Sequence, residues 1–311
     1  ALNFFNTSLE ILDFSSWEVL AFDHFSPHPD IVSSRLETLS KLPYLKSGIV
    51  ITTLETLSQR LCPKNYIEIY SLHLKTKQNL EIKSFSENLI KIGYRRVTTV
   101  MEQGEFCIKG ALIDLYPMGT KNPYRIDLFD NEIDSIRSFD TSSQRSIEII
   151  KEIKLLPARE FATDSDSISI FKDNYLSEFG NTDGFIYNEV SEGRYPGGIE
   201  FYLPLFFKTT ETLFDYILGE PVIFYQKGLN EAMELQAKEL LERFEYCKGS
   251  LERLPLEINK VFLNTERFFK KLSDKKQVQI QSSKIEKAEG YNFSSSILPP
   301  LKIEAQTKKI P

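Results

Sequence analysis

The spacing of apolar residues divides the chain into three stretches of different texture. The first reads as α/β. Between Asp30 and Leu42, Ile31, Leu36, Leu39 and Leu42 recur at roughly helical spacing, and Pro43 closes that helix. Gly48-Ile49-Val50-Ile51-Thr52 is a β-branched run that suits a buried strand. Thr52 with Glu55 forms a capping-box pattern for a helix that Pro63 terminates. A strand delivering directly into a capped helix is the unit of a parallel α/β sheet.

The texture changes near His73. Ser84 or Ser86 is placed to cap a short helix through Leu89 and Ile90, with Gly93 at its end. Strands are expected over 106–115, 124–129 and 132–139, parted by Pro117-Met118-Gly119 and Asp130-Asn131. A small antiparallel sheet with a helix follows, hence α+β, closed by Leu155-Leu156-Pro157. From Ala158 the pattern is mixed again. It predicts helices over 164–179 and around 187–192, a turn at Tyr195-Pro196-Gly197-Gly198 and a buried strand over 222–225. The strongest helix covers 229–247 and is rich in Glu, Leu, Ala and Lys. Residues 281–311 show little periodicity and read as a loosely held tail or linker.

Length and composition narrow the class. A chain of 311 residues exceeds what one core usually holds, and 41% hydrophobic with 26% charged residues is ordinary for globular proteins. The net charge of −6 argues against a dedicated nucleic-acid coat. Three widely spaced cysteines (Cys62, Cys107, Cys247) make neither a disulfide framework nor a zinc pattern, so a reducing cytoplasm is the expected compartment. No apolar run approaches the ~20 residues of a membrane span. Ala1-Leu2-Asn3-Phe4-Phe5 lacks a basic leader and does not read as a signal peptide. Because it starts abruptly in an apolar run, the chain reads as a piece of something larger.

No GxxxxGK[ST] phosphate loop occurs, and no acidic strand for Mg²⁺ is evident, so no nucleotide cofactor is expected. His24 and His28 stand in a loop with Pro27 and Pro29, which does not hold two imidazoles and a carboxylate on one face; a structural loop is the expectation. No catalytic residue or metal ligand is assigned.

The middle stretch is more informative. Residues 73–125 hold nine Lys or Arg against five acids, whereas residues 126–140 hold five acids and one Arg. Strand alternation puts Tyr124, Ile126 and Leu128 on one face and Arg125, Asp127 and Phe129 on the other. A phenylalanine on a charged face is out of place. In the preceding strand, Phe106 and Ile108 suit the core, which turns Lys109 outward. Arg and an aromatic ring on one sheet face resemble a binding hot spot. The plainer readings are a solvated face, or Phe129 packed beneath a loop. The pattern leaves protein and nucleic acid open as partners.

Gly93-Tyr94-Arg95-Arg96-Val97, Val100-Met101-Glu102-Gln103-Gly104-Glu105-Phe106, Lys109-Gly110-Ala111-Leu112-Ile113-Asp114-Leu115-Tyr116-Pro117-Met118-Gly119 and Pro123-Tyr124-Arg125-Ile126-Asp127-Leu128-Phe129-Asp130 resemble the second domain of bacterial transcription-repair coupling factors. Further blocks match at 25–36, 155–161 and 197–207, so the resemblance covers nearly the whole chain, and the same blocks look like a diverged UvrB. It implies a split UvrB-like α/β body, a degenerate helicase lobe without ATP chemistry, holding an inserted α+β domain. The implied limits are domain 1A over 1–71, domain 2 over 72–157, domain 1B over 158–290, and a tail over 291–311. It further implies that domain 2 binds UvrA through Lys109, Arg125 and Phe129. Lys109 stands where the family often has arginine, and lysine lacks the planar fork for a bidentate carboxylate contact. The DNA-clamping hairpin of UvrB would fall near Asp23–Asp30, where only a short loop stands. The family's first strand is expected before Ala1. In the intact protein, the resemblance implies RNA polymerase and double-stranded DNA as partners through other domains, an ATP-dependent translocase motor beyond Pro311, and a domain masking the UvrA face. A nucleic-acid-binding module using residues 73–125 is the alternative.

Overall fold

The computed structural model describes residues 9–249, 253–285 and 290–293. Most of the expected 291–311 tail therefore lies outside the described residues. Strand β1 (Glu10–Phe14) pairs in parallel with β2 (Gly48–Thr52), and helix α1 (Pro29–Lys41) crosses over between them. His28 caps α1, its Nδ1 accepting the Asp30 amide at 3.3 Å. Two short helices follow, α2 (Leu54–Ser58) and α3 (Lys64–Ile69). The single helix expected as far as Pro63 is thus cut at Ser58. Its cap is Thr53 and not Thr52, because the Thr53 hydroxyl receives the Thr56 amide while the Thr52 hydroxyl donates to the Phe14 carbonyl.

Strand β3 (Leu72–Lys75) pairs antiparallel with the much later β10 (Glu152–Leu155), and between them lies a helix with a six-stranded sheet. Helix α4 (Ile82–Lys91) starts earlier than Ser84. Glu81 caps it, accepting the amides of Lys83 and Ser84. The sheet runs β4 (Arg95–Arg96), β5 (Glu105–Lys109), β6 (Leu112–Tyr116), β7 (Tyr124–Phe129), β8 (Glu132–Phe139), β9 (Ser146–Ile150), in that order, and is antiparallel except for β4–β5. The strand expected over 106–115 is therefore a hairpin. Gly110, at φ 63°, makes its turn in a conformation that L side chains rarely adopt.

The third stretch holds α5 (Ser165–Phe179), α6 (Phe185–Ser191), a 3₁₀ segment (Ile199–Phe206) and α7 (Leu213–Tyr216). After these come β11 (Val222–Gln226), α8 (Leu229–Lys248), α9 (Ile258–Val261), α10 (Thr265–Ser273) and β12 (Lys276–Ile280), which pairs in parallel with β11. Asp164 caps α5 through the Ser167 amide. The Gly197-Gly198 turn presses against the Asp23–Ser26 loop. A Cβ on Gly198 would stand 2.1 Å from the Asp23 carbonyl oxygen, so the turn admits no side chain there.

The strands expected to be buried over 48–52 and 222–225 leave Ile51, Val222 and Phe224 exposed. Each belongs to a two-stranded parallel sheet whose other edge is open among the described residues. Both edges line one cavity of about 1100 Å³ with Leu54, Leu229 and Phe268. A run of β-branched residues specifies a strand but not what covers it.

Two large cores hold the chain together. One joins Phe14, Leu36 and Leu39 to Leu74, Leu89, Ile113, Ile126, Ile136 and Leu155; the other packs Trp17, Phe22, Phe161, Phe171, Phe206 and Phe262. Between them is a buried ion pair. Arg35 is 0% exposed, and its Nε and Nη2 donate to the two carboxylate oxygens of Glu160 at 2.6 and 3.1 Å. Nη1 donates to the Ser15 carbonyl, Trp17 Nε1 donates to Glu160, and the guanidinium stacks 4.3 Å from the Phe14 ring centroid.

Glu200 is a second buried acid, 3.8 Å from Arg159 and accepting a hydrogen bond from Ser26. Desolvation is the largest influence on it and raises its pKa above the ordinary 4.5. The folded chain then holds this proton at a higher pH than the unfolded chain does. Stability contributed here is greatest at acid pH and falls as pH rises from about 4.5 through the raised value. Glu200→Gln removes this dependence. Its melting temperature relative to the parent should rise between pH 4 and pH 7 in calorimetric scans; a constant difference would refute the assignment.

Candidate functional site

The six-stranded sheet has two unlike faces, and the sequence dictates which is which. Phe106, Ile113, Leu115, Ile126, Leu128, Ile133 and Ile136 point inward to the large core, and α4 covers that face by burying Phe85 and Leu89 in the same cluster. The alternate positions point outward. Register sets them in rows: Cys107, Asp114, Arg125, Arg137 and Ile149 stand opposite one another, and Lys109, Leu112, Asp127 and Ser135 form the next row.

Phe129 closes the outer face at the tip of the β7–β8 hairpin, opposite Glu132. Asp130, with φ 54°, makes the turn, a left-handed position that Asp tolerates better than most residues. A register shift between Asp127 and Leu128 lies just before the tip. Phe129 is 74% exposed, so it is not packed beneath a loop. Lys109 is exposed next to the Gly110 turn, at the same end of the sheet, and has no ion-pair partner among the described residues.

Arg125 is different. Its Nε and Nη2 donate to the Asp114 carboxylate at 2.7 and 2.9 Å, Nη1 donates to the Gln144 carbonyl, and the guanidinium lies 4.7 Å from the Phe139 ring centroid. Its side chain is only 19% exposed, and the hydrogen bonds to Asp114 raise its pKa further. Beneath it, Val100, Cys107 and Phe139 make a small cluster of their own. Arg125 therefore shares the outer face with Phe129 but is held within the sheet. Arg137 is likewise paired with Asp127.

The basic stretch does not form one patch. Lys75, Lys77, Arg95 and Arg125 are in ion pairs with Glu152, Glu132, Glu105 and Asp114. Lys83 and Lys91 ride on α4, across the sheet from Lys109. Counting along a sequence adds up faces that the fold separates. Glu105 serves the β4–β5 corner: burial pushes its pKa up, but the Met101 and Glu102 amides and Arg95 outweigh this and hold it below the ordinary value.

Residues that the sequence reading passed over are the carboxylates Asp114 and Asp127 as partners of the two arginines, and Ile147 and Ile149 on β9. These isoleucines are 57% and 79% exposed. Their signal was available, since Ile147-Glu148-Ile149 alternates like a half-buried strand. Among the described residues, no group of three or more His, Cys, Asp or Glu is placed to hold a metal ion, and no helix is long and apolar enough to cross a membrane.

Known proteins resemble this sequence. The family model of the UvrB interaction domain matches residues 72–161, the stretch that contains the whole six-stranded sheet. This part of the chain is similar to that family. Beyond the UvrB interaction domain, the similarity extends along nearly the full chain. A transcription-repair-coupling factor of Escherichia coli is 38% identical over 97% of the chain, and one of Haemophilus influenzae is 37% identical over 97%. A counterpart from Staphylococcus aureus is 30% identical over 59%. The chain spans only about a quarter of the length of the first two relatives, 27% of each. The chain is thus an α/β segment similar to part of the transcription-repair-coupling factors, with the stretch that matches the UvrB interaction domain set into it.

Proposed function

We propose that the chain is the UvrA-recruiting part of a transcription-repair coupling factor, acting without catalysis of its own, and that the outer sheet face is where UvrA docks. Lys109, Arg125 and Phe129 are the contact residues in this reading. The observation that carries it is Phe129, a phenylalanine three-quarters exposed at a hairpin tip inside the UvrB interaction domain. Aromatic anchors of this kind dominate interface energy. Lys109 supplies a free cation beside it, for a carboxylate on the partner. Arg125 acts from a fixed position, since its fork is already engaged by Asp114.

The reading includes a division into domain 1A (1–71), domain 2 (72–157), domain 1B (158–290) and a linker (291–311), and a cytoplasmic location. It also includes a role in nucleotide excision repair at stalled RNA polymerase, with the ATP-driven motor, the RNA polymerase contact, the double-stranded DNA contact and any domain masking the UvrA face in other parts of the intact protein. The nucleic-acid reading is weakened because the cations of 73–125 are divided among faces and ion pairs. Phosphate contacts need free cations along one track.

The test is a calorimetric titration of the chain with UvrA. Phe129→Ala should weaken binding by about 30-fold, the equivalent of about 2 kcal/mol for a central anchor, with an unchanged melt. Affinity within a factor of two of the parent would remove Phe129 from the interface, and the proposal with it.

A further inference from the structure

The described residues leave one apolar surface on the outer sheet face beyond Phe129. Strand β9 ends the sheet order and pairs only with β8, so its other edge is open among the described residues. Its inward residue Ile150 stands opposite Ile136 and packs against the large core. Its outward residue Ile149 lies opposite Arg137, and Ile147 is exposed in the register shift that follows between Arg137 and Phe139. An open edge that displays β-branched aliphatics invites pairing or aggregation unless something covers it, and soluble proteins usually place charges there. Exposed isoleucines on an edge strand are the reverse of that habit.

We infer that Ile149, with the exposed Ile147 beside it on the open edge, forms a second apolar anchor for the protein partner that docks on Phe129, which on the reading above is UvrA. The inference rests on that reading. Three observations favour one protein over other occupants. Ile149 and Phe129 share a face: the row of Ile149 passes through Arg137 and Arg125, four residues along β7 from Phe129. Strand rise and spacing put the two anchors roughly 16 Å apart, within the footprint of an interface burying about 800 Å² per partner. Between them lie Arg125–Asp114 and Arg137–Asp127, cations already matched by carboxylates in the sheet. Such a surface offers apolar contact with its polar groups satisfied. It suits a protein partner with apolar pockets and little excess charge, and it suits a nucleic-acid backbone poorly.

The experiment titrates UvrA against the whole chain, with Ile147→Thr and Ile149→Thr combined in one variant and Phe129→Ala as a second. Threonine keeps the β-branch, and both positions are more than half exposed, so the melt should not move. Binding by the isoleucine variant should be at least 10-fold weaker. If Phe129→Ala loses affinity and the isoleucine variant does not, the second anchor is refuted and the reading of Phe129 stands. If the isoleucine variant loses affinity and Phe129→Ala does not, UvrA meets β9 without Phe129, and both the shared footprint and the reading of Phe129 fail. Absence of any binding by the parent chain overturns both. Concentration-dependent dimerisation of the parent, abolished in the isoleucine variant while UvrA binding is kept, would assign β9 to a second copy and also refute the inference.

Discussion

Glu160→Ala should destabilise the chain by about 3–5 kcal/mol, the usual cost of stranding one member of a buried ion pair. Arg35 has no route to water. It is fully buried, stacked between Phe14 and Trp17, and its remaining hydrogen bonds go to the Ser15 carbonyl and the Gln59 side chain, neither of which carries charge. The substitution also removes the acceptor of the Trp17 indole. Urea denaturation followed by circular dichroism reads the loss as a lower midpoint. Replacing both partners together, Arg35→Met with Glu160→Leu, should recover most of it, because a well-packed apolar pair often matches a buried salt bridge. A single-variant loss below about 1 kcal/mol would mean that the carboxylate is not compensating Arg35. This pair joins positions 125 residues apart, and it fixes the end of β1 and the first helix against the segment that follows the sheet. The sheet bearing the proposed docking face is thereby mounted on the body that carries it.

That pair also marks the boundary of what the sequence makes legible. Strands, helices and face assignments follow from periodicity, and the alternation of one strand alone turns Phe129 outward. Helix ends depended on which side chain wins an amide: Thr53 over Thr52, and Glu81 over Ser84. Local pattern does not rank such neighbours. The β5–β6 hairpin was hidden because Gly110-Ala111 is a short turn inside a run that stays apolar on both sides. Long-range partners were out of reach for a different reason. Nothing near Arg35 names Glu160, and nothing near Arg125 separates Asp114 from the other acids until hairpin register puts them opposite each other. Summed charge misled for the same reason, since α4 and the outer face lie on opposite sides of the sheet.

Among the proposed contact residues, Arg125 is therefore the one whose loss disturbs the fold most. Asp114 is 4% exposed, and its two oxygens are matched by the Arg125 fork. Arg125→Ala leaves that carboxylate buried without its partner and takes the stacked guanidinium off Phe139. The expected cost is about 2–4 kcal/mol of stability, somewhat below the fully buried case because the Arg125 side chain is 19% exposed and partly hydrated. The double substitution Asp114→Ala with Arg125→Ala should be less unstable than Arg125→Ala alone, since the stranded charge is gone. Thermal melts of these two variants, of Asp114→Ala alone and of the parent complete the cycle. Arg125→Ala matching the parent would show that Asp114 reaches water by another route. The same cycle settles how binding data should be read. If Arg125→Ala weakens the UvrA complex and Asp114→Ala with Arg125→Ala restores it, the arginine acts by holding the sheet. If both variants bind weakly at a temperature where both are folded, the guanidinium meets the partner directly, as Phe129 is expected to.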